Sequence, residues 1–206
     1  MSRRKKRNDR PTAGFVLGRR AAARLLIGFV AGLGFWLLFS APYERAVAGA
    51  AQVVVRLFER PPVTTLSAGA GEIRVDRSDF PPASPRPGLP AADLHFNFVL
   101  LATLFALDPH PLAPGRFGRF WLAAAILFAI HVLALISQVE SLYATRLGDW
   151  SGAHYGVVAR NAWAAAFHFY EIAGRFAAPF ALWWGLRVNP GEENSKSEIR
   201  NPKTRP

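Results

Sequence analysis

The chain has 206 residues, and its 51% apolar side chains are gathered in long blocks, which points to an integral membrane protein and away from a soluble globule. It carries 25 Lys and Arg against 14 Asp and Glu and has no cysteine, so disulfides, thiolate metal sites and cysteine nucleophiles are excluded. Nine of the basic residues precede Leu25 and abut an apolar run, so the net charge of +11 is read as membrane orientation with the lipid bilayer as partner, and no nucleic-acid partner is expected.

In chain order, the first apolar run is Ala21 to Ser40, about 20 residues and long enough for a hydrocarbon core of about 30 Å. The Phe39-Ser40-Ala41-Pro42 that ends it lacks a small-x-small cleavage pattern, so it reads as an uncleaved anchor. From Tyr43 to Glu59, Val47, Ala51, Val54, Val55 and Phe58 fall near helical spacing, predicting a separate amphipathic helix lying on the membrane surface. Pro61-Pro62 stops it. Val63 to Leu66, the turn-like Ser67 to Gly71 and the alternating Glu72 to Asp76 predict a small β-hairpin, and the proline-rich Phe80 to Pro90 reads as an extended connector.

The second apolar run, about Ala91 to Leu107, has a short core and opens with Asp93 and His95, which leaves a re-entrant segment as an alternative to a span. The third, Phe120 to Val139, and the fourth, about Trp163 to Leu186, are long enough to cross. Lys and Arg counts arbitrate: four spans place 16 on the cytoplasmic side and 8 outside, whereas three spans give 11 and 13. Trp121, Trp183 and Trp184 then fall at the inner boundary, and Tyr43, Tyr143, Trp150, Tyr155 and Trp163 near the outer one. After Glu140 the third helix is expected to run on to about Gly148 and to turn at Asp149 to Gly152.

The expected fold class is therefore an all-α membrane protein of about four transmembrane helices, with an outer amphipathic helix and a small β-hairpin. Residues 1–20 form a basic cytoplasmic tail, 21–188 the four-span membrane domain with an outer segment at 43–92, and 189–206 a disordered cytoplasmic tail. The expected location is the bacterial cytoplasmic (inner) membrane, with both termini cytoplasmic.

Chemistry concentrates on the last span. At 100° per residue, Asn161, His168, Glu171 and Arg175 fall within an arc of about 80°. Ionisable groups at membrane depth are costly unless paired or wetted, so this face is expected to look into the bundle. His131 and Gln138, seven residues apart on the third span, are candidate partners, giving an intramembrane polar cluster of His131, Gln138, Asn161, His168, Glu171 and Arg175. Three readings stay open: Glu171 pairs with Arg175 at i, i+4 and the histidines fix packing; the face docks a membrane partner; or it performs acid–base, metal or proton-relay chemistry. No paired-histidine metal spacing is present, so no metal and no cofactor is expected. Ser137, Ser141, Thr145 and Ser151 lie in no nucleophile-elbow pattern, and Gly28, Gly32 and Gly34 read as a small-residue packing stripe. No catalytic residue is assigned.

Asn97 opening a short span, Gly115-Arg116 and Arg119 before a span carrying Phe128-Ala-Ile-His131-Val-Leu, and a last span with His168, Glu171, Arg175 and Pro179 resemble the exosortase and archaeosortase group of membrane proteins. The likeness covers about Asn97 to Leu186. Exosortases process C-terminal sorting tails at the outer face of the cytoplasmic membrane with Cys, Arg and His, and this chain lacks Cys and has fewer spans. The resemblance therefore implies a small non-catalytic companion, similar to the exosortase-associated membrane proteins, with a sortase-like membrane partner. In it, His168 with either Arg160 or Arg175 would be the distant counterpart of the family's polar residues. The alternative is a membrane-embedded enzyme or proton-coupled carrier using His168, Glu171 and Arg175 directly.

Overall fold

The computed structural model describes residues 18–81, 84, 86–108 and 110–187; most of the basic tail and the C-terminal tail lie outside these residues. The described chain is mostly helical with one small sheet. Helix α1 runs from Arg19 to Phe58, 40 residues and about 60 Å, so the first apolar run and the amphipathic segment after it are one rod. This corrects the expectation of a separate helix on the membrane surface. Pro42 sits inside it without breaking it. The apolar stripe beyond Pro42, Val47, Ala48, Ala51 and Val55, is buried against the protein's own sheet and helix α4 rather than against lipid.

Strands β1 (Thr64–Gly69) and β2 (Glu72–Arg77) form the expected hairpin, with Leu66 opposite Val75. Ala70 and Gly71 turn it at φ 54° and 77°, a left-handed pair in which glycine is unstrained at the second position. A third strand, β3 (Gly88–Pro90), pairs with β2 in the antiparallel order β1-β2-β3, so the end of the proline-rich connector joins the sheet. The alternation predicted for Glu72 to Asp76 holds, with Ile73 and Val75 buried and Glu72 and Arg74 exposed, and β1 alternates in the same way, with Thr64 and Leu66 buried and Thr65 and Ser67 exposed. The free edge of β1 is closed by side chains of α1 and the residue after it. Arg56 Nε donates to the Thr64 carbonyl, Gln52 Oε1 accepts from Leu66 N, and Glu59 Oε2 accepts from Thr64 N. An edge satisfied in this way offers no template for further strands.

Helices α2 (Ala91–His95) and α3 (Asn97–Ala106) follow, a short apolar pair of about 24 Å broken at Phe96. Helix α4 (Pro114–Thr145) is 32 residues long and extends past the third apolar run at both ends. Helix α5 (Asp149–His154) replaces the turn expected there. Then α6 (Val157–Phe169), a π-helical segment (Tyr170–Gly174) and α7 (Arg175–Arg187) form one uninterrupted rod. Helices α1, α3, α4 and α7 pack into a bundle, while α6 and the sheet lie against the far ends of α4 and α1.

Two helices, α1 and α4, are long and apolar enough to cross a membrane. Around the bundle, Leu38, Leu122, Phe176 and Trp184 point outward, an apolar exterior suited to lipid. On its inside, Gly28 and Gly32 of α1 face α3. A Cβ on Gly28 would fall on the Cβ of Ala106, and one on Gly32 would lie 3.0 Å from the Cβ of Ala102. Small residues thus let the two backbones approach closely, as in membrane helix pairs.

Candidate functional site

The buried polar groups of the bundle form two chains that meet beside Tyr43. In the first, Trp36 Nε1 donates to His95 Nδ1 at 2.9 Å, and His95 Nε2 faces Glu44 Oε1 at 3.3 Å. An indole nitrogen only donates, so His95 Nδ1 carries no proton and Nε2–H points at the carboxylate. Glu44 and His95 are both buried, and the neutral imidazole donates its Nε2–H to the Glu44 side chain. Breaking such a pair strands the survivor, whereas the intact pair fixes how α1 meets α2.

In the second chain, Asn97 is the hub. Its Nδ2 donates to the Arg175 carbonyl at 3.1 Å, and more weakly to the Tyr170 hydroxyl at 3.5 Å, so its Oδ1 accepts from His131 Nε2–H at 2.8 Å. That leaves His131 Nδ1 to accept from the Tyr43 hydroxyl at 2.7 Å, while Tyr170 donates onward to the Leu94 carbonyl at 2.6 Å. Every donor finds an acceptor with a neutral imidazole. His131 is 0% exposed, and both of its nitrogens are occupied. Its ring also stands edge-on to that of Tyr43, with centroids 5.8 Å apart. Neither histidine presents a free base to a substrate, so what this arrangement does chemically is lock helices together.

The polar face expected on the last span divides. Glu171 and Arg175 pair at 3.2 Å, and Asp93 reaches the same guanidinium at 3.7 Å. His131 reaches Arg175 only through Asn97 and the Arg175 main chain. Gln138 is buried higher on α4. Asn161 and His168 are exposed, and His168 lies beside the neighbouring Phe167 ring. The cause is the π segment at Tyr170–Gly174. An inserted residue turns the helix beyond it by about 100°, so the regular 3.6-residue phase that aligned Asn161 and His168 with Arg175 does not hold across it. The segment also lets Tyr170 swing inward, with Gly174 making room: a Cβ there would sit 3.0 Å from Tyr170 Cδ2.

Glu44, His95, Asn97 and Tyr170 complete the site, and sequence reasoning did not assign them to it. Glu44 carried a usable signal, because it shares the helical stripe of Val47, Ala48, Ala51 and Val55, and a carboxylate on an apolar stripe is usually paired inside. His95 and Asn97 sit at a helix break and had no periodicity to place them.

A separate polar centre organises the sheet-bearing end. Arg77 holds Asp79 through Nε at 3.0 Å and Nη2 at 2.8 Å and reaches Glu59 with Nη1 at 3.3 Å. Its guanidinium lies 4.7, 4.9 and 5.3 Å from the rings of Trp150, Tyr143 and Phe80. Burial would lower the Arg77 pKa, but the hydrogen bond to Asp79 and the negative surroundings of Asp79, Tyr143 and Glu59 together leave it raised, while the Arg77 hydrogen bonds pull Asp79 below its usual range. Thr64 donates its hydroxyl to Glu59 and accepts from Tyr143, whose pKa is pushed up to about 12 by burial. Tyr155 donates to Glu140 at 2.8 Å, and burial raises that carboxylate.

The hydroxyls weighed as nucleophiles are tied to backbone: Ser137 to the Ala134 carbonyl, Thr145 to that of Ser141, and Ser151 to that of Tyr143. Ser141 is buried. Among the described residues no group of three or more His, Asp or Glu is arranged to hold a metal ion. No protein-family model, curated protein or solved structure matches the chain.

Proposed function

We propose that this chain is a non-catalytic four-span accessory protein of the bacterial cytoplasmic membrane, serving an exosortase-type sorting or surface-assembly system and presenting its sheet to a sortase-like partner on the outer side. The observation that carries the non-catalytic reading is the capping of both buried imidazoles, His95 by Trp36 and Glu44, and His131 by Tyr43 and Asn97. Chemistry on a substrate needs a base with an open nitrogen within reach, and these two have none. The exosortase-type assignment rests on the likeness over Asn97 to Leu186. It is supported by the meeting of Asn97, His131 and Arg175, three of the residues that carry the likeness, in one network with Pro179 beside it.

Two terminal segments on the cytoplasmic side and four spans follow from the Lys and Arg distribution. The short α2–α3 pair would then cross with its ends shielded by α1 and α7. A photo-crosslinking residue at Ser67, exposed on the sheet, tests the proposal in native membranes. The expected result is one specific membrane-protein adduct, lost when Arg74 and Glu72 beside it on the sheet are both changed to Ala. Absence of any adduct, together with an activity of the purified protein that disappears in a folded His168→Ala, Glu171→Ala, Arg175→Ala variant, would establish the enzyme or carrier reading instead.

A further inference from the structure

Along the last rod, Phe176, Phe180 and Trp184 recur at four-residue spacing beyond the π segment, Phe169 and Ile172 lie before and within it, and all five are exposed. They give the rod exposed apolar surface over about 22 Å of its length. Acyl chains cover such a surface as well as a protein does, so the surface alone selects nothing. Charge beside it does. Two carboxylates, Glu171 and Asp93, share the single guanidinium of Arg175, at 3.2 and 3.7 Å, and Asp93 remains 57% exposed. The group therefore holds one excess negative charge. Arg175 spends its Nη2 on both acids, and its buried Nε has no partner, so the internal cation does not neutralise the site by geometry or by count. Of the basic side chains before Glu171 on this rod, the exposed His168 precedes it by three residues, and the guanidinium-bearing Arg160 lies about 16 Å away along the axis.

An uncompensated carboxylate at or near membrane depth is costly unless a cation reaches it. We infer that this face receives a transmembrane helix of the partner whose apolar surface lies along Ile172 and Phe176 and whose one Lys or Arg reaches Asp93 and Glu171. The inference rests on the accessory role proposed above and names the chemistry of the partner at this face. It also gives the π segment a purpose, because the phase change sets Glu171 beside this surface while Tyr170 turns into the core.

The test uses the full chain in phosphatidylcholine vesicles with dye-labelled synthetic helices of about 20 residues, poly-leucine with or without one lysine near an end. Energy transfer is expected to report association about fivefold stronger for the lysine helix. An Asp93→Asn, Glu171→Gln variant should reduce it to the level of the neutral helix; both residues are solvent- or lipid-accessible, and circular dichroism checks that the bundle is kept. Equal association of the two helices, or an undiminished lysine preference in the variant, overturns the inference. Crosslinking from Ser67 reads the accessory role separately, so a partner captured at the sheet with no lysine preference here would leave that role standing and remove only this face.

Discussion

The Asn97 side chain donates to the Arg175 carbonyl, and four residues beyond Arg175 stands Pro179, which has no N–H to offer that carbonyl. In an ordinary helix the amide at i+4 would fill this role. Here a side chain from α3 replaces a backbone donor of α7, so the proline that would weaken the last helix becomes the reason two helices are joined. Pro179 is itself fully buried at the contact.

That relationship predicts a coupling. Asn97→Leu should cost about 1–3 kcal/mol, since it leaves the Arg175 carbonyl and the His131 N–H without partners. In a Pro179→Ala background, where residue 179 regains its N–H, the penalty should shrink by about 1 kcal/mol, because only the His131 loss persists. Reversible unfolding in mixed micelles for the four combinations measures this, and equal penalties in both backgrounds would refute it.

The approach of α1 to α3 predicts a compensation. Gly28→Ala should destabilise by about 1–3 kcal/mol through overpacking against Ala106. Ala106→Gly in the same chain should recover most of that loss, whereas Ala102→Gly, which faces Gly32, should recover little. Thermal aggregation midpoints in one detergent rank the variants.

Acid should loosen the sheet-bearing end. Asp79 titrates below its ordinary value of 3.8 because Arg77 bonds its charged form. Its contribution is therefore complete above pH about 4 and is lost as pH falls through the depressed folded value. Asp79 is partly exposed, so solvent screens the pair and the effect is small. Arg77→Gln should return the Asp79 carboxyl to the ordinary range, read from its carbon chemical shift during titration. A midpoint that stays low in the variant would mean that Arg77 is not the cause.

The cysteine-free chain allows topology to be read one residue at a time. Ser67→Cys on the sheet should react with a membrane-impermeant maleimide in intact cells. Arg116→Cys, near the start of α4, should react only after lysis, and Leu38→Cys, on the outward face of α1, with neither treatment. Labelling of Arg116→Cys in intact cells would reverse the proposed orientation.

Local spacing made parts of the site legible. Glu171 and Arg175 are four apart and pair as i, i+4 neighbours do, and the alternation of Glu72 to Asp76 foretold that Ile73 and Val75 turn inward. Periodicity failed wherever the backbone departed from one repeat. A regular helix put His168 beside Arg175, and the π segment turned it away.

What the amino-acid sequence determined by itself was therefore the helical character of the first and third apolar runs, the hairpin and the presence of ionisable groups among them, because composition and short-range spacing act within one element. Only tertiary structure decided that Glu44 meets His95 across 51 positions and that His131 meets Asn97 across 34. It also decided that the chain after Pro42 continues as the same helix. The physical reason is shared: a buried hydrogen-bonding group must find a partner, and which partner it finds depends on how separate helices are brought together.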